Sequence, residues 1–159
     1  MTFSIRPSKK QDMPQVLKLI QELAVYEKEP DAVEITVADL EHYGFGTQPQ
    51  FQCFVAEIEQ QIIGMALVYT RFSTWKGTVL HLEDLIVNQK MRGKGIGKSL
   101  LDEVVKYAKT LGVKRISWEV LDWNEPAIIF YENHGANVMR DWNVVHLDEN
   151  GIKNYLSKL

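Results

Sequence analysis

Apolar residues recur at helical spacing between Lys10 and Tyr26, where Val16, Leu17, Ile20, Leu23 and Ala24 share one face. The pattern predicts a helix there, with Asp12 and Pro14 in its first turn, after a short strand over 3–6. Residues 36–42 read as a second helix with Thr36 as N-cap and Asp39 three positions on; Gly44-Phe45-Gly46 then breaks the chain. Strands follow at 52–57, 62–70 and 78–87, joined by a hairpin at Glu59-Gln60-Gln61 and a turn at Thr74-Trp75-Lys76-Gly77. From 95 to 110, Ile96, Leu100, Leu101, Val104, Val105 and Ala108 mark an amphipathic helix, and Gly112 is placed to cap it. A strand is predicted at 115–120. Asn124-Glu125-Pro126 then opens a helix running to Asn133, with Asn124 as N-cap and Gly135 after it. Residues 137–147 suit one or two closing strands, and the chain from Gly151 is weakly patterned. The order predicts a mixed α/β fold, its central sheet mostly antiparallel and flanked by helices.

Composition narrows the class. The 159 residues, 45% apolar and 25% charged, are ordinary for one folded domain over 1–159. A net charge of −3 disfavours a nucleic-acid partner. The lone cysteine, Cys53, forms no internal disulfide or multi-cysteine metal site and suits a reducing compartment. The first residues hold no apolar signal-peptide core. The longest nearly apolar stretch, 62–69, is far below the ~20 residues of a membrane span. The expectation is a cytoplasmic protein with neither membrane nor nucleic acid as partner. His42, His81, His134 and His146 show no metal-ligand spacing, so no metal is expected.

The richest stretch is Leu82-Glu83-Asp84-Leu85-Ile86-Val87, followed after a short loop by Arg92-Gly93-Lys94-Gly95-Ile96-Gly97-Lys98-Ser99. Glycines let a backbone approach a ligand closely. The free N–H groups at a helix start suit a phosphate or pyrophosphate, and Arg92, Lys94 and Lys98 add positive charge. The plain alternative is a basic turn that needs glycines. A P-loop requires glycine where Arg92 stands, and the dinucleotide fingerprint misses by one residue.

Arg92-Gly93-Lys94-Gly95-Ile96-Gly97 does fit Arg-x-x-Gly-x-Gly. It resembles the acyl-coenzyme A pyrophosphate loop of the GNAT N-acetyltransferase superfamily, in company with the downstream Asn124, Ala127, Phe130 and Tyr131. Ile5-Arg6-Pro7, Leu23-Ala24, Tyr26-Glu27, Gly44-Phe45-Gly46, Leu82-Glu83-Asp84 and Trp123-Asn124-Glu125-Pro126 resemble the diamine (spermidine/spermine) acetyltransferase branch. Ser73-Thr74-Trp75-Lys76-Gly77 and Leu121-Asp122-Trp123-Asn124 are similar to its thialysine Nε-acetyltransferase subgroup. The resemblance implies the GNAT fold, acetyl-CoA as cosubstrate, a small-molecule amine as acceptor and a homodimer. The polyamine enzymes are expected to carry an acid where Ser73 stands, which counts against spermidine and spermine.

Acetyl transfer to an amine requires a base, because an alkyl ammonium has a pKa near 10. A charged pair inside the apolar run 82–87 is costly without partners or a task. Glu83 is the candidate base, and a strand-end salt bridge is its plain alternative. Alternation along a strand is expected to keep Glu83 and Asp84 from facing one site. Tyr131 is a candidate general acid, since a phenol stays protonated at neutral pH; an aromatic beside Phe130 is otherwise core. The resemblance implies the catalytic roles for both. It further implies coenzyme A contacts from Leu85, Ile86, Val87, the loop Arg92, Gly93, Lys94, Gly95, Ile96, Gly97 and Lys98, and from Asn124, Glu125, Pro126, Ala127 and Tyr131. Tyr26 and Glu27 match substrate-contacting positions, although Glu27-Lys28-Glu29 also reads as a solvated charge run. Trp75 offers an indole face to a cation or packs on the sheet. Cys53 reads as core.

These observations favour an N-acetyltransferase that acts on a small aliphatic amine by direct attack in a ternary complex. The alternatives are an amino-acid or protein lysine acetyltransferase and a non-catalytic acyl-coenzyme A-binding module.

Overall fold

Neighbouring strands of the sequence hydrogen-bond to one another. β1 (Ser4–Pro7), β2 (Gln52–Ile58), β3 (Gln61–Ser73) and β4 (Gly77–Val87) pair antiparallel in chain order, and β5 (Ile116–Ser117) joins β4 in parallel. The structure, a computed structural model, describes residues 2–159 and divides into two units, Met1–Glu119 and Val120–Leu159. The first holds the five-stranded sheet with α1 (Met13–Tyr26), α2 (Val37–Phe45) and α3 (Ile96–Leu111); the second holds α4 (Glu125–Asn133) and α5 (Glu149–Leu156). The predicted class, a mixed sheet flanked by helices, is the observed one.

Alternation assigns the two faces of the sheet. Met13, Val16 and Leu19 of α1 share a buried cluster with Cys53, Val55, Met65 and Leu67, and α2 adds Leu40. Phe54, pointing the other way, meets Tyr107 of α3 edge-on at 5.5 Å. Arg6 fastens the start of α1: its guanidinium bonds the buried Asp12 at 2.7 Å and also pairs with Glu57 of β2. Gln15 of α1 clamps the β2–β3 turn, accepting from Ile62 N at 2.9 Å and donating to Gln60 O at 3.3 Å.

The capping box at Thr36 and Asp39 forms as predicted, but α2 runs past His42 through Gly44 to Phe45. A side chain at Gly44 would lie 2.6 Å from Phe51 Cζ. The glycine thus lets Phe51 pack against the helix, and that burial offsets its low helix propensity. In α3 the predicted apolar face is buried except Val105, which is half exposed.

Three predictions near the C-terminus need correction. The strand predicted over 115–120 is only Ile116–Ser117, and the region 137–147 forms no strand among the described residues. Met139, Trp142, Val144, Val145 and Leu147 there are exposed, Val145 at 88%. Strand formation requires an edge to pair with, which local β propensity does not provide. The weakly patterned end instead holds α5, capped by Asp148 Oδ1, which accepts from Gly151 N at 2.7 Å. Asn124 precedes α4 as predicted, but its side chain makes no capping bond to the helix.

Candidate active site

The site begins with an irregularity in β4. Leu67 of β3 pairs with Asp84 and Val68 with Leu82, so Glu83 is the extra residue of a β-bulge. A bulge resets the alternation of side chains. Glu83 and Asp84 therefore line the same pocket, against the expectation that a strand would separate them. The pocket, about 500 Å³, is bounded by α1, the 32–35 segment, α2 and the sheet. Tyr43, Phe51, Leu67 and Tyr69 give it an apolar and aromatic wall. Four of its described lining residues are acids (Glu34, Asp39, Glu83, Asp84) and none is Lys or Arg. Asp39 is already engaged by the Thr36 cap.

The carboxylates perturb one another. Asp84 is pushed up to about 7, first by loss of water around it and then by the charges of Glu83 and Glu27. Burial also raises Glu27, the C-cap of α1, so it is more than a member of a solvated charge run. The Tyr69 hydroxyl is raised by burial and by Glu83, toward which it hydrogen-bonds. A crowd of desolvated anions is stabilised by an incoming cation. Asp84 was not among the sequence candidates, because strict alternation hid it.

On its other edge β4 loses its partner. β5 pairs only with Leu80 and His81, so among the described residues no strand is paired to that edge from Leu82 onward. Leu85, Ile86 and Val87 stay bonded to β3 on the opposite side.

After β4 the glycine loop leads into α3. Glu22 of α1 pins its beginning, accepting from Asn88 Nδ2 at 2.9 Å and Gln89 N at 2.8 Å. Arg92 donates to Val87 O at 3.1 Å, and its guanidinium lies 4.8 Å from the centre of the Tyr26 ring. Gly93 and Gly95 have φ of 76° and 79°, in the left-handed region that favours glycine. A Cβ at either would meet nothing within 4 Å. Gly95 is the N-cap of α3, and no side chain caps that helix start. The loop thus presents open space beside the N–H groups of a helix start, which fits a pyrophosphate. Lys98 contributes less charge than expected, since it pairs with Asp102 at 2.6 Å.

The remaining candidates fall elsewhere. Tyr26 stands beneath Arg92 rather than in the pocket lining. Trp75 is 76% exposed at the β3–β4 turn and does not line the pocket. The Ser73 hydroxyl accepts from Trp75 N at 3.2 Å and Lys76 N at 3.3 Å, which shapes that turn. Cys53 is buried and its thiol is pushed up to about 12 by burial, so it is a core residue. Asn124, Glu125, Pro126, Ala127 and Tyr131 lie at and on α4 of the second unit; Tyr131 is 9% exposed, with the Phe130 ring at 5.3 Å.

The family model for acetyltransferases of the GNAT family matches residues 14–136. The chain belongs to the GNAT acetyltransferase family. It is therefore an N-acetyltransferase of the class that uses acetyl-CoA as cosubstrate. It is 41% identical over 140 residues to thialysine N-epsilon-acetyltransferase of Bos taurus, covering 83% of this chain and 82% of that one. It is 38% identical over 141 residues to spermidine/spermine N(1)-acetyltransferase-like protein 1 of Homo sapiens, covering 84% of this chain and only 20% of that protein's length. Among solved structures, integron cassette protein VCH_CASS6 from the mobile metagenome of V. cholerae has a TM-score of 0.80 at 26% identity, covering 100% of this chain and 99% of that one. An aminoglycoside acetyltransferase from an uncultured soil metagenomic sample shares the fold, with a TM-score of 0.74 at 20% identity over 92% of this chain and 94% of that one.

The Asp84 carboxyl yields a stability prediction. Its folded-state pKa lies above the unfolded value of 3.8, so ionising it opposes folding, and wild-type stability falls as pH rises from about 4 through about 7. Asp84→Asn is expected to raise Tm by roughly 3 °C or more at about pH 8.5 and to leave it within about 1 °C at about pH 4. Thermal melts across pH measure this; an equal shift at both ends would mean Asp84 is not held against ionisation.

Proposed function

We propose that this acetyltransferase transfers the acetyl group of acetyl-CoA to a primary amine of a small aliphatic acceptor, a thialysine-like amino acid or a diamine. The observation that carries this reading is the acid-lined, aromatic-walled pocket at the β4 bulge. Its size suits a small molecule, and its charge suits an ammonium. The likeness to the thialysine N-epsilon-acetyltransferase of Bos taurus supports the same reading.

Acetyl-CoA supplies the acetyl group as a thioester, with a thiolate as leaving group. The glycine loop from Arg92 to Lys98 binds the pyrophosphate through backbone N–H groups. Leu85, Ile86 and Val87 offer backbone groups to the pantetheine arm, and Asn124, Glu125, Pro126 and Ala127 contact the coenzyme from the second unit. Glu83 takes the proton from the acceptor ammonium, directly or through water, so that the free amine attacks. Asp84 and Glu27 hold the cation in place. Tyr131 donates its phenolic proton to the departing thiolate as the tetrahedral adduct collapses, and the second proton of the attacking nitrogen returns to the phenolate, directly or through water. The unreactive Cys53 supports direct attack in a ternary complex over an acetyl-cysteine route.

The whole chain serves as a single domain; the family match crossing from one unit into the other supports that. A homodimer is supported by the exposed apolar side chains Met139, Trp142, Val144, Val145 and Leu147. A cytoplasmic setting rests on the single buried thiol, and no helix among the described residues is long and apolar enough to cross a membrane.

Gly95→Glu is expected to abolish coenzyme A binding by calorimetry while circular dichroism shows a folded protein, because an anion then fills the pyrophosphate space. Wild-type affinity would remove the loop assignment. Tyr131→Phe is expected to keep coenzyme A affinity within a few fold and lower kcat by roughly 10²–10⁴; wild-type turnover would leave Tyr131 a packing residue.

Thialysine is expected to be preferred over spermidine, whose further ammonium groups call for an additional acid. A missing charged contact costs about 1.5–3 kcal/mol, roughly one to two decades in kcat/KM. Ser73→Asp is expected to narrow the gap, and an aspartate can accept the same turn bonds, so the hairpin is retained. Side-by-side kcat/KM values decide this, and a wild type that already favours spermidine would overturn it.

A further inference from the structure

His81 stands in the apolar run Val79-Leu80-His81-Leu82 and is 6% exposed. A buried imidazole on a core strand is costly unless its nitrogens are bonded. Both have partners. Nδ1 lies 3.3 Å from Ser117 Oγ, across the last rung that joins β4 to β5. Nε2 lies 3.5 Å from Glu83 Oε2. The Tyr69 ring packs against the imidazole at 5.1 Å. A carboxylate only accepts hydrogen bonds, so the tautomer with the proton on Nε2 is the one that lets this 3.5 Å contact close into a hydrogen bond, with Nδ1 then accepting from the Ser117 hydroxyl.

We propose that His81 is a positioning residue for the reaction, its Nε2–H aiming the Glu83 carboxylate into the pocket while Ser117 fixes the imidazole tautomer. This rests on the reading of Glu83 as the base. Glu83 is half exposed at a bulge, where the Tyr69 hydroxyl already hydrogen-bonds to it, and His81 supplies a second point that sets its direction. A neutral donor holds it without the full charge that would reduce its basicity. The groups facing the imidazole are Tyr69 and Arg71 of β3, Glu83 on its own strand, Ser117 of β5 and Glu119 beyond it. Burial and then Arg71 lower its pKa, against the opposing pull of Glu83 and Glu119. The imidazole is therefore neutral at neutral pH. In acid it becomes imidazolium, fixes Glu83 as an anion and weakens the base.

The test compares His81→Asn with His81→Gln. The Asn amide nitrogen falls near Nδ1, keeps Ser117 by donating to its hydroxyl oxygen, and misses Glu83; the Gln amide nitrogen falls near Nε2 and reaches Glu83. His81→Asn is expected to lower kcat roughly 10- to 100-fold with KM for acetyl-CoA within about threefold, whereas His81→Gln stays within about fivefold of wild type. His81→Gln is also expected to shift or remove the acid-side inflection of kcat/KM. Parallel losses in both variants that follow Tm, with an unmoved pH profile, would make His81 a packing residue and overturn the proposal. If His81→Asn does not fold, Ser117→Ala decides: a loss of roughly 3- to 10-fold in kcat is expected, and unchanged kcat overturns it. Glu83→Gln separates the two readings. Wild-type turnover in that variant refutes the base itself; a large loss there beside a fully active His81→Asn refutes only the role of His81.

Discussion

β4 has to serve as a core strand and as an open edge at once. Its bonds to β3 continue to Val87, while its bonds to β5 stop at His81. The bulge at Glu83 reconciles the two demands. It interrupts the ladder locally, adds twist and turns two consecutive carboxylates toward one pocket. Without it, Asp84 would point to the opposite face of the sheet.

α1 ties the consequences of that bulge together. Its Glu22 fixes the start of the glycine loop, its Tyr26 lies beneath Arg92, and its C-cap Glu27 raises Asp84. Its own start is fastened by Arg6, Asp12 and Glu57. Helix, loop and acid cluster thus share one rigid support, which suits a reaction between two substrates that must be held in register.

Charge is arranged by place rather than by total. The net −3 is unremarkable, yet the acids gather in the pocket and glycine-freed N–H groups with Arg92 and Lys94 form the loop. Lys98, basic in the sequence, is neutralised by Asp102. Anion binding at the loop therefore relies on backbone dipoles more than on lysine count.

The sequence alone determined the elements whose causes are local. The Thr36–Asp39 box, the amphipathic α1 and α3, the hairpin turns and the glycine loop rest on contacts within a few residues, so they were legible. The family resemblance was legible for the same reason, since its islands are short and contiguous. What depended on a distant partner was not. α2 continues through Gly44 because Phe51 covers it, residues 137–147 find no strand partner among the described residues, and α5 forms around an Asp148 cap. The joint facing of Glu83 and Asp84, and the bonding of His81 to Ser117, were decided by tertiary structure. A bulge is a mismatch of register between two strands, and no single strand's pattern contains the register of its neighbour.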